Sequence, residues 1–321
     1  MTGWKFTKGL HDLGNGAWAY LQPDGGWGFS NAGLITDGDE SLLVDTLFDE
    51  NLTAEMLASM KASTGLGGAD ITTLVNTHAN GDHTYGNRLV ENAEIITSAA
   101  TASEFSDAPP AMLAQIVENA DQLGLTGTFV REIFGSFHFA DIELTAPTRT
   151  FSGELNLKVG DKPVQLIEVG PAHTKGDTLV YSPTDRAVFT GDILFINGTP
   201  IIWDGPISNW IRACDFITEL DVDIVVPGHG PVTDKAGAQQ VRGYLTFVAE
   251  ESRARFDAGM PALEAAKDIA LGPYGEWNDW ERLAVNVSAM YREFDPTLPE
   301  SDGMELFGQM AELWSRGLAT A

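Results

Sequence analysis

THANGDH, residues 77–83, is the part of the sequence from which the fold can first be inferred. The residues before it, DITTLVN, read as a buried strand, so His78 stands where a strand gives way to a loop. Two histidines and an aspartate this close together provide nitrogen and oxygen donors for a metal ion. In the middle of the pattern an amide, Asn80, occupies the place where a third imidazole would fit.

Three later segments carry the same kinds of side chain. They are GPAHTKGD (170–177), FTGD (189–192) and VPGHGP (226–231). Each follows an apolar, β-rich run, and its glycine or proline lets the backbone turn sharply and point a polar side chain into a shared cleft. With the first stretch they offer histidines and aspartates suited to zinc or another first-row metal. The single cysteine, Cys214, excludes a cysteine-based cage and an internal disulfide.

The order and spacing of these four motifs resemble the metallo-β-lactamase-fold superfamily. Its signature is His-x-His-x-Asp-His, followed by a lone His, an Asp and a final His. The resemblance covers about residues 15–232, and SLLVDT, which contains Asp45, is similar to a strand common early in that superfamily. It implies an α/β fold, an αββα sandwich with the metals at one edge between the two sheets.

The resemblance also implies two adjacent metal sites. The first would be formed by His78, the residue at position 80 and His173. The second would be formed by Asp82, His83 and His229, and Asp192 would bridge both metals. In this family a hydroxide between the metals is the nucleophile, because metal binding lowers the pKa of the water to about 7, and Asp82 would orient it or receive its proton. The expected cofactor is Zn²⁺, one or two ions per chain, with iron or manganese as other candidates.

Asn80 departs from the family pattern. An amide oxygen is a weaker zinc ligand than an imidazole, so the first site should bind its metal less tightly than the second. We expect either a single metal at the second site, held with the help of Asp192, or two metals of unequal affinity. Alternatively, Asn80 contacts the substrate, or it only caps the following loop and the first site stays empty.

Two further aspartates stand beside the motifs. Asp45 and Asp177 would each support a ligating histidine by binding its free ring nitrogen, or would cap a local turn.

Three aromatic side chains are candidates for a substrate pocket. His138, within FGSFHF, would line the pocket with its aromatic neighbours, or would be an ordinary surface residue. Trp203 and Trp210, in the loop 195–210, would form a hydrophobic wall for the substrate, or would pack against the C-terminal helices.

The chain is predicted to have two parts. Strands and helices alternate through residues 1–232, which we predict as the αββα domain, with a helical insertion at about 99–140. In residues 233–321 apolar side chains such as Trp280, Leu283, Val287 and Tyr291 recur at helical spacing. This C-terminal helical extension is predicted to cover the site or to form a homodimer contact.

Composition restricts the partners. The chain has 19 Lys and Arg against 46 Asp and Glu, a net charge of -27 that repels nucleic-acid phosphates and anionic membranes. We therefore expect a small-molecule substrate, with neither nucleic acid nor a membrane as partner. The N-terminal MTGWKFTKGL has no continuous apolar segment, so we expect no signal peptide or membrane anchor and a cytoplasmic location.

These features predict a metal-dependent hydrolase. In the leading hypothesis, a metal-bound hydroxide attacks a small-molecule carboxylic ester, lactone or thioester, and the content of Trp and Phe favours a hydrophobic one. The fold alone does not select the substrate. One alternative is an iron-dependent oxidoreductase or dioxygenase of the same fold. Another, motivated by Asn80, is a ligand-binding relative that has lost catalysis.

Overall fold

Two β-sheets lie face to face between layers of helices in the computed structural model, which describes residues 4–318. The strands of the first sheet are β1 Gly9–Gly14, β2 Ala17–Leu21, β3 Ala32–Asp37, β4 Glu40–Val44, β5 Thr73–Val75, β6 Glu94–Ser98 and β7 Arg149–Phe151. The strands of the second sheet are β8 Glu154–Val159, β9 Lys162–Glu168, β10 Thr178–Ser182, β11 Ala187–Phe189 and β12 Ile224–Val226.

The first sheet keeps its strands in chain order, β1 to β7. It is antiparallel from β1 to β4 and parallel from β4 to β7. The second sheet has the order β12-β11-β10-β9-β8, and only its β11–β12 pair is parallel. The parallel strands β5, β11 and β12 are short and apolar, as expected of strands covered on both faces.

The α-helices within residues 4–318 connect and cover these sheets. They are α1 Glu50–Thr64, α2 Gly81–Thr84, α3 Ala99–Glu104, α4 Pro110–Glu118, α5 Gly124–Phe134, α6 Ile207–Glu219, α7 Lys235–Asp257, α8 Ala262–Asp268, α9 Leu283–Phe294 and α10 Gly303–Leu318. None of them combines the length and the apolar character needed to cross a membrane.

Three apolar clusters hold the layers together. Between the sheets, side chains such as Ile35 of the first sheet meet Val164 and Phe189 of the second. Helix α1 packs Met56 and Met60 onto the outer face of the first sheet. The outer face of the second sheet is covered by side chains of α6, α7 and α9, namely Trp210, Cys214, Val241 and Val287. This is the αββα sandwich with a helical C-terminal extension that the sequence predicts.

A fourth, aromatic cluster joins the helices inserted between β6 and β7 to the sandwich. It includes Phe48, Tyr85, Phe134, Phe137 and Phe139. Phe134 lies on α5, which also packs against the C-terminal helix α10. The insertion and the C-terminal region therefore meet above one edge of the sheets.

Candidate metal centre

Four loops bring together the histidines and aspartates of the sequence motifs at the edge of the two sheets that lies below the inserted helices and the C-terminal region. Three of the loops begin at the carboxyl ends of β5, β11 and β12, and the fourth follows β9. Such strand ends are where α/β folds build their sites. The residues that meet there are His78, Asp82, His83, His173, Asp192 and His229.

Two glycines permit the close approach. A Cβ atom at Gly228, next to His229, would lie 2.0 Å from the Oδ1 atom of Asp192. A Cβ atom at Gly81 would lie 2.3 Å from the ring of Tyr85. Side chains at these two positions would therefore displace the loops, which explains why both motifs place glycine beside the polar residue.

Asp192 lies at the centre of the cluster, and its side chain is only 4% exposed. Its carboxylate oxygens lie 3.1 Å from Nε2 of His83, 3.4 Å from Nε2 of His173, 3.5 Å from Nε2 of His229 and 3.7 Å from Nε2 of His78. Asp82, which is 15% exposed, lies 3.2 Å from Nε2 of His229. One carboxylate thus faces four imidazoles that come from three other loops.

Hydrogen bonds fix the orientation of two of the imidazoles. The Nδ1 atom of His83 donates to the Oδ2 atom of Asp45 at 3.0 Å. The hydroxyl of Thr77 donates to the same carboxylate at 2.7 Å, which leaves its oxygen free to accept from Nδ1 of His78 at 3.0 Å. In neutral rings both Nε2 atoms are then unprotonated and point at Asp192, the state in which imidazole binds a metal.

Asn80 contacts the remaining imidazole of the first predicted site. Nδ1 of His173 donates to the carbonyl of Ile201 at 2.8 Å, so Nε2 of the neutral ring is an acceptor. The Oδ1 atom of Asn80 lies 2.7 Å from this Nε2. Two acceptors this close require a shared cation, or an amide turned so that its N–H group donates. The Asn80 side chain makes no capping bond to α2.

Four buried atoms of the cluster make no hydrogen bond within residues 4–318. Three of them face the centre, namely Nε2 of His78, Nε2 of His83 and Oδ1 of Asp192, and the fourth is Nδ1 of His229, whose Nε2 atom faces the carboxylates. A buried polar atom without a hydrogen-bond partner destabilises the folded protein by about 1–3 kcal/mol. Three such atoms at one point therefore indicate that a ligand binds there. Two sets of ligand atoms lie within 4.8 Å of one another, those of His78, His83 and Asp192 and those of Asp82, His83 and His229. A divalent metal ion fits this donor set.

The carboxylates and imidazoles of the centre shift one another's pKa values. Burial lowers the pKa of His78 well below its usual value, and the neighbouring His83 lowers it further. Burial also acts to lower the pKa of His83, but the carboxylates of Asp192, Asp82 and Asp45 outweigh it and raise that pKa well above its usual value. Burial acts to raise the pKa of Asp192, but the histidines outweigh it and hold that pKa well below its usual value. The central carboxylate is therefore anionic, as a metal ligand must be.

The two supporting aspartates have different environments. Asp45 is buried and holds His83 and Thr77, the arrangement predicted for a residue that supports a ligating histidine. Asp177 instead accepts from the backbone N–H and the hydroxyl of Thr174 and so caps the turn between them. Burial raises the pKa of Asp177 to about 8.

Of the two predicted wall tryptophans, the structure places only Trp203 at the cavity above the cluster. Trp210 is fully buried, and its Nε1 atom donates to the carbonyl of Ile193 at 2.9 Å. Its ring packs 5.8 Å from that of His173, so it supports the histidine from the core.

His138 also lies away from the cavity. Its side chain is exposed, and its backbone N–H donates to the carboxylate of Asp49 at 3.0 Å. The chain alternates here, so that Phe137 and Phe139 point into the aromatic cluster while His138 points outward.

A cavity of about 260 Å³ opens above the cluster. Its polar side is formed by Asn80, Asp82, His173, Asp192 and His229. Its apolar side is formed by Trp27, Phe48, Tyr85, Met112, Leu113, Phe134, Phe195, Ile201, Trp203 and Phe307. Arg282, from the segment just before α9, also reaches the wall. No motif in the sequence marks Trp27, Arg282 or Phe307 as a cavity residue, whereas Tyr85 stands two residues after the first motif.

A model of the metallo-beta-lactamase superfamily matches residues 25–229, and the chain belongs to this superfamily. The fold of this superfamily implies binding of a divalent metal, consistent with the buried cluster. The matched range includes the whole cluster and ends before Arg282 and Phe307.

Individual relatives are more distant. The chain is 34% identical over 118 residues to the 2,4-dinitroanisole O-demethylase subunit alpha of Nocardioides sp. (strain JS1661), a match that covers 36% of this chain and 35% of that protein. It is 25% identical over 224 residues to the Beta-lactamase-like protein 2 homolog of Caenorhabditis elegans, covering 70% of this chain and 63% of that protein. The chain thus spans about a third of the first relative and just under two thirds of the second.

The sec-alkylsulfatase Pisa1 from Pseudomonas sp. shares the fold. Its structure superposes with a TM-score of 0.68 at 13% identity, and the match covers 91% of this chain and 51% of that one. At this identity the likeness shows the fold alone.

Proposed function

We propose that this protein is a metal-dependent hydrolase of a small-molecule carboxylic ester, lactone or thioester. The observation that carries the proposal is the buried cluster around Asp192, which holds unpartnered ligand atoms and forms one side of a cavity with an apolar wall. A divalent metal bound there would polarise the scissile carbonyl and lower the pKa of a water ligand to about 7.

The proposed ligands are those named by the motifs. His78 and His173, with the amide oxygen of Asn80, would hold one ion, and Asp82, His83 and His229 a second, with Asp192 between them. A donor set this rich in imidazole fits zinc, although iron and manganese accept similar ligands. Asn80 contributes a weaker ligand, so the first ion would be held less tightly.

Asp82 is the proposed catalytic residue. It is the most exposed carboxylate of the cluster and lines the cavity, while Asp192 is 4% exposed. Its own burial acts to raise its pKa, but His83 and His229 outweigh this and lower it to about 2. As an anion at neutral pH it can accept a hydrogen bond from an attacking water molecule and orient it.

A second candidate reaction is cleavage of an aryl alkyl ether. It is favoured by the match to a protein named as an O-demethylase of 2,4-dinitroanisole and by the aromatic rings of the cavity. The same apolar wall would bind the ring of an aryl ester or of an aryl ether, so the scissile bond has to be tested directly.

The test is a substrate panel on the metal-loaded protein. It contains 4-nitrophenyl esters, a thioester and an aryl lactone. It also contains 2,4-dinitroanisole and an alkyl sulfate, which are substrates for alternative reactions. We expect turnover of the carbonyl substrates that is abolished by a chelator and restored by zinc. Turnover of the ether alone would replace the proposal by the second candidate. Ligand binding without any turnover would favour a relative that has lost catalysis. Consumption of O₂ or of an electron donor by the iron-loaded protein, without hydrolysis, would favour the oxidoreductase alternative.

Asp82→Asn provides the matching variant. Loss of this carboxylate, which the proposal makes both a metal ligand and the group that orients the water, is expected to lower kcat by about 10²–10⁴-fold while the fold is retained. The control is Asp161→Asn, which makes the same chemical change at an exposed position in the turn between β8 and β9. Equal kcat values for the two variants would exclude Asp82 from the reaction.

A further inference from the structure

The apolar wall of the cavity is built by three separate parts of the chain. Trp27 comes from the loop between β2 and β3, Phe134 from the inserted helix α5, and Phe307 from the C-terminal helix α10. Phe307 lies outside the range that the superfamily model matches. The C-terminal region thus supplies part of the wall that faces the cluster.

Trp27 is held at the centre of this wall by contacts on several sides. Its Nε1 atom donates to the carboxylate of Glu281 at 2.8 Å. The guanidinium of Arg282 stacks 4.2 Å from its ring. The rings of Phe134 and Phe307 lie 5.8 Å and 6.1 Å away. A wall fixed in this way is pre-organised, so a ligand does not have to order it on binding.

Apart from the guanidinium of Arg282, whose Nε atom makes no hydrogen bond within residues 4–318, the wall offers few hydrogen-bonding groups to a ligand. The Nε1 atom of Trp27 is already bonded to Glu281. The hydroxyl of Tyr85 donates to the carbonyl of Ala108 at 2.5 Å. A polar substituent placed against these side chains would lose its bonds to water without replacement, so the wall favours a purely apolar group.

The volume of the cavity limits the size of that group. A cavity of 150 Å³ is sufficient to bind benzene, and the present cavity measures about 260 Å³. Because its polar side must also take the reacting group, the remaining space fits one aromatic ring. A second linked ring would exceed this remaining space.

We propose that the substrate carries a single aromatic ring attached directly to its reacting group, and that Phe307 of the C-terminal region selects this ring. This inference rests on the proposed function, since it names the substrate class of the same site. It also assigns the C-terminal helix to the substrate cavity of its own chain.

The test measures binding rather than turnover. Acetate, benzoate and 4-phenylbenzoate carry the same carboxylate on groups of increasing size, and their dissociation constants are determined by calorimetry on the metal-loaded protein. Burial of one ring predicts that benzoate binds about 10–100-fold more tightly than acetate. We expect no binding of 4-phenylbenzoate.

Phe307→Ala is expected to reduce the preference for benzoate over acetate by about tenfold and to admit 4-phenylbenzoate. Phe307→Leu, which keeps most of the packing, is expected to shift both quantities in the same direction by a smaller factor. The control is Phe247→Ala on α7, which removes a ring that packs against Tyr274 away from the cavity.

Two results would overturn the inference. One is equal affinity of the wild-type protein for acetate and benzoate. The other is a benzoate preference that Phe307→Ala and Phe307→Leu leave unchanged in folded protein. A protein that shows the predicted preference but hydrolyses nothing in the panel would refute the proposed function alone, so the two failures are distinguishable.

Discussion

Asp192→Asn is expected to strip the metal from the protein and to lower kcat/KM by about a thousandfold. Its carboxylate lies within 3.7 Å of the Nε2 atoms of four histidines. The amide keeps the shape of the side chain but removes the negative charge that a divalent ion needs at the centre. A loss of several kcal/mol of charge stabilisation in the transition state corresponds to this factor.

The measurement combines elemental mass spectrometry with steady-state kinetics on the best substrate of the panel. Asp161→Asn again provides the matched control, and circular dichroism establishes that the variant is folded. An Asp192→Asn protein that retains its full metal content and activity would show that the cluster is not the reaction centre.

Arg282→Met is expected to reduce the free energy of unfolding by about 3 kcal/mol. Arg282 is 2% exposed, and its guanidinium donates to the carbonyl of Thr199 at 2.9 Å and lies 3.0 Å from the carboxylate of Asp279. Removing this cation leaves the largely buried Asp279 without its partner and removes the stacking on Trp27. Burial already raises the pKa of Asp279, and protonation of this carboxylate limits the loss.

Urea unfolding measures the effect. Arg131→Met is the matched control, because Arg131 is 49% exposed and pairs with an aspartate that is 82% exposed. Such surface pairs contribute about 0–1 kcal/mol. The double variant Arg282→Met/Asp279→Asn should recover part of the loss, since it also removes the unpaired charge. Equal destabilisation by Arg282→Met and Arg131→Met would contradict a structural role for this ion pair.

The fold could be predicted from the sequence because its signals are local. Each motif follows a short apolar strand, and the turn residues beside each histidine or aspartate fix where the chain must bend. Strand β1, GLHDLG, was not predicted, because its polar and apolar residues alternate only weakly. The hydrogen bonds of its pairing with β2 stabilise this strand, although its own sequence gives little indication of it.

The wall of the cavity could not be predicted in the same way. Its members are far apart in the chain, and only tertiary packing brings Trp27 to Phe307. Charged residues such as Arg282 and Glu281 read as surface residues in the sequence, yet both are buried because they partner groups from other segments. Trp210 and His138 were predicted at the cavity, but Trp210 lies in the core and His138 on the surface. The sequence does not show in which direction an aromatic side chain points.

The number of metal ions per chain, determined by elemental mass spectrometry on wild-type protein and on Asn80→His, shows whether the cluster is a metal centre. We predict about one tightly held ion in the wild type and about two in the variant, because an imidazole at position 80 would complete the first site beside His78 and His173. Protein that binds no stoichiometric metal in either form would contradict the claim that this cluster is a metal centre. Two tightly held ions in both forms would contradict the weaker first site that we assign to Asn80.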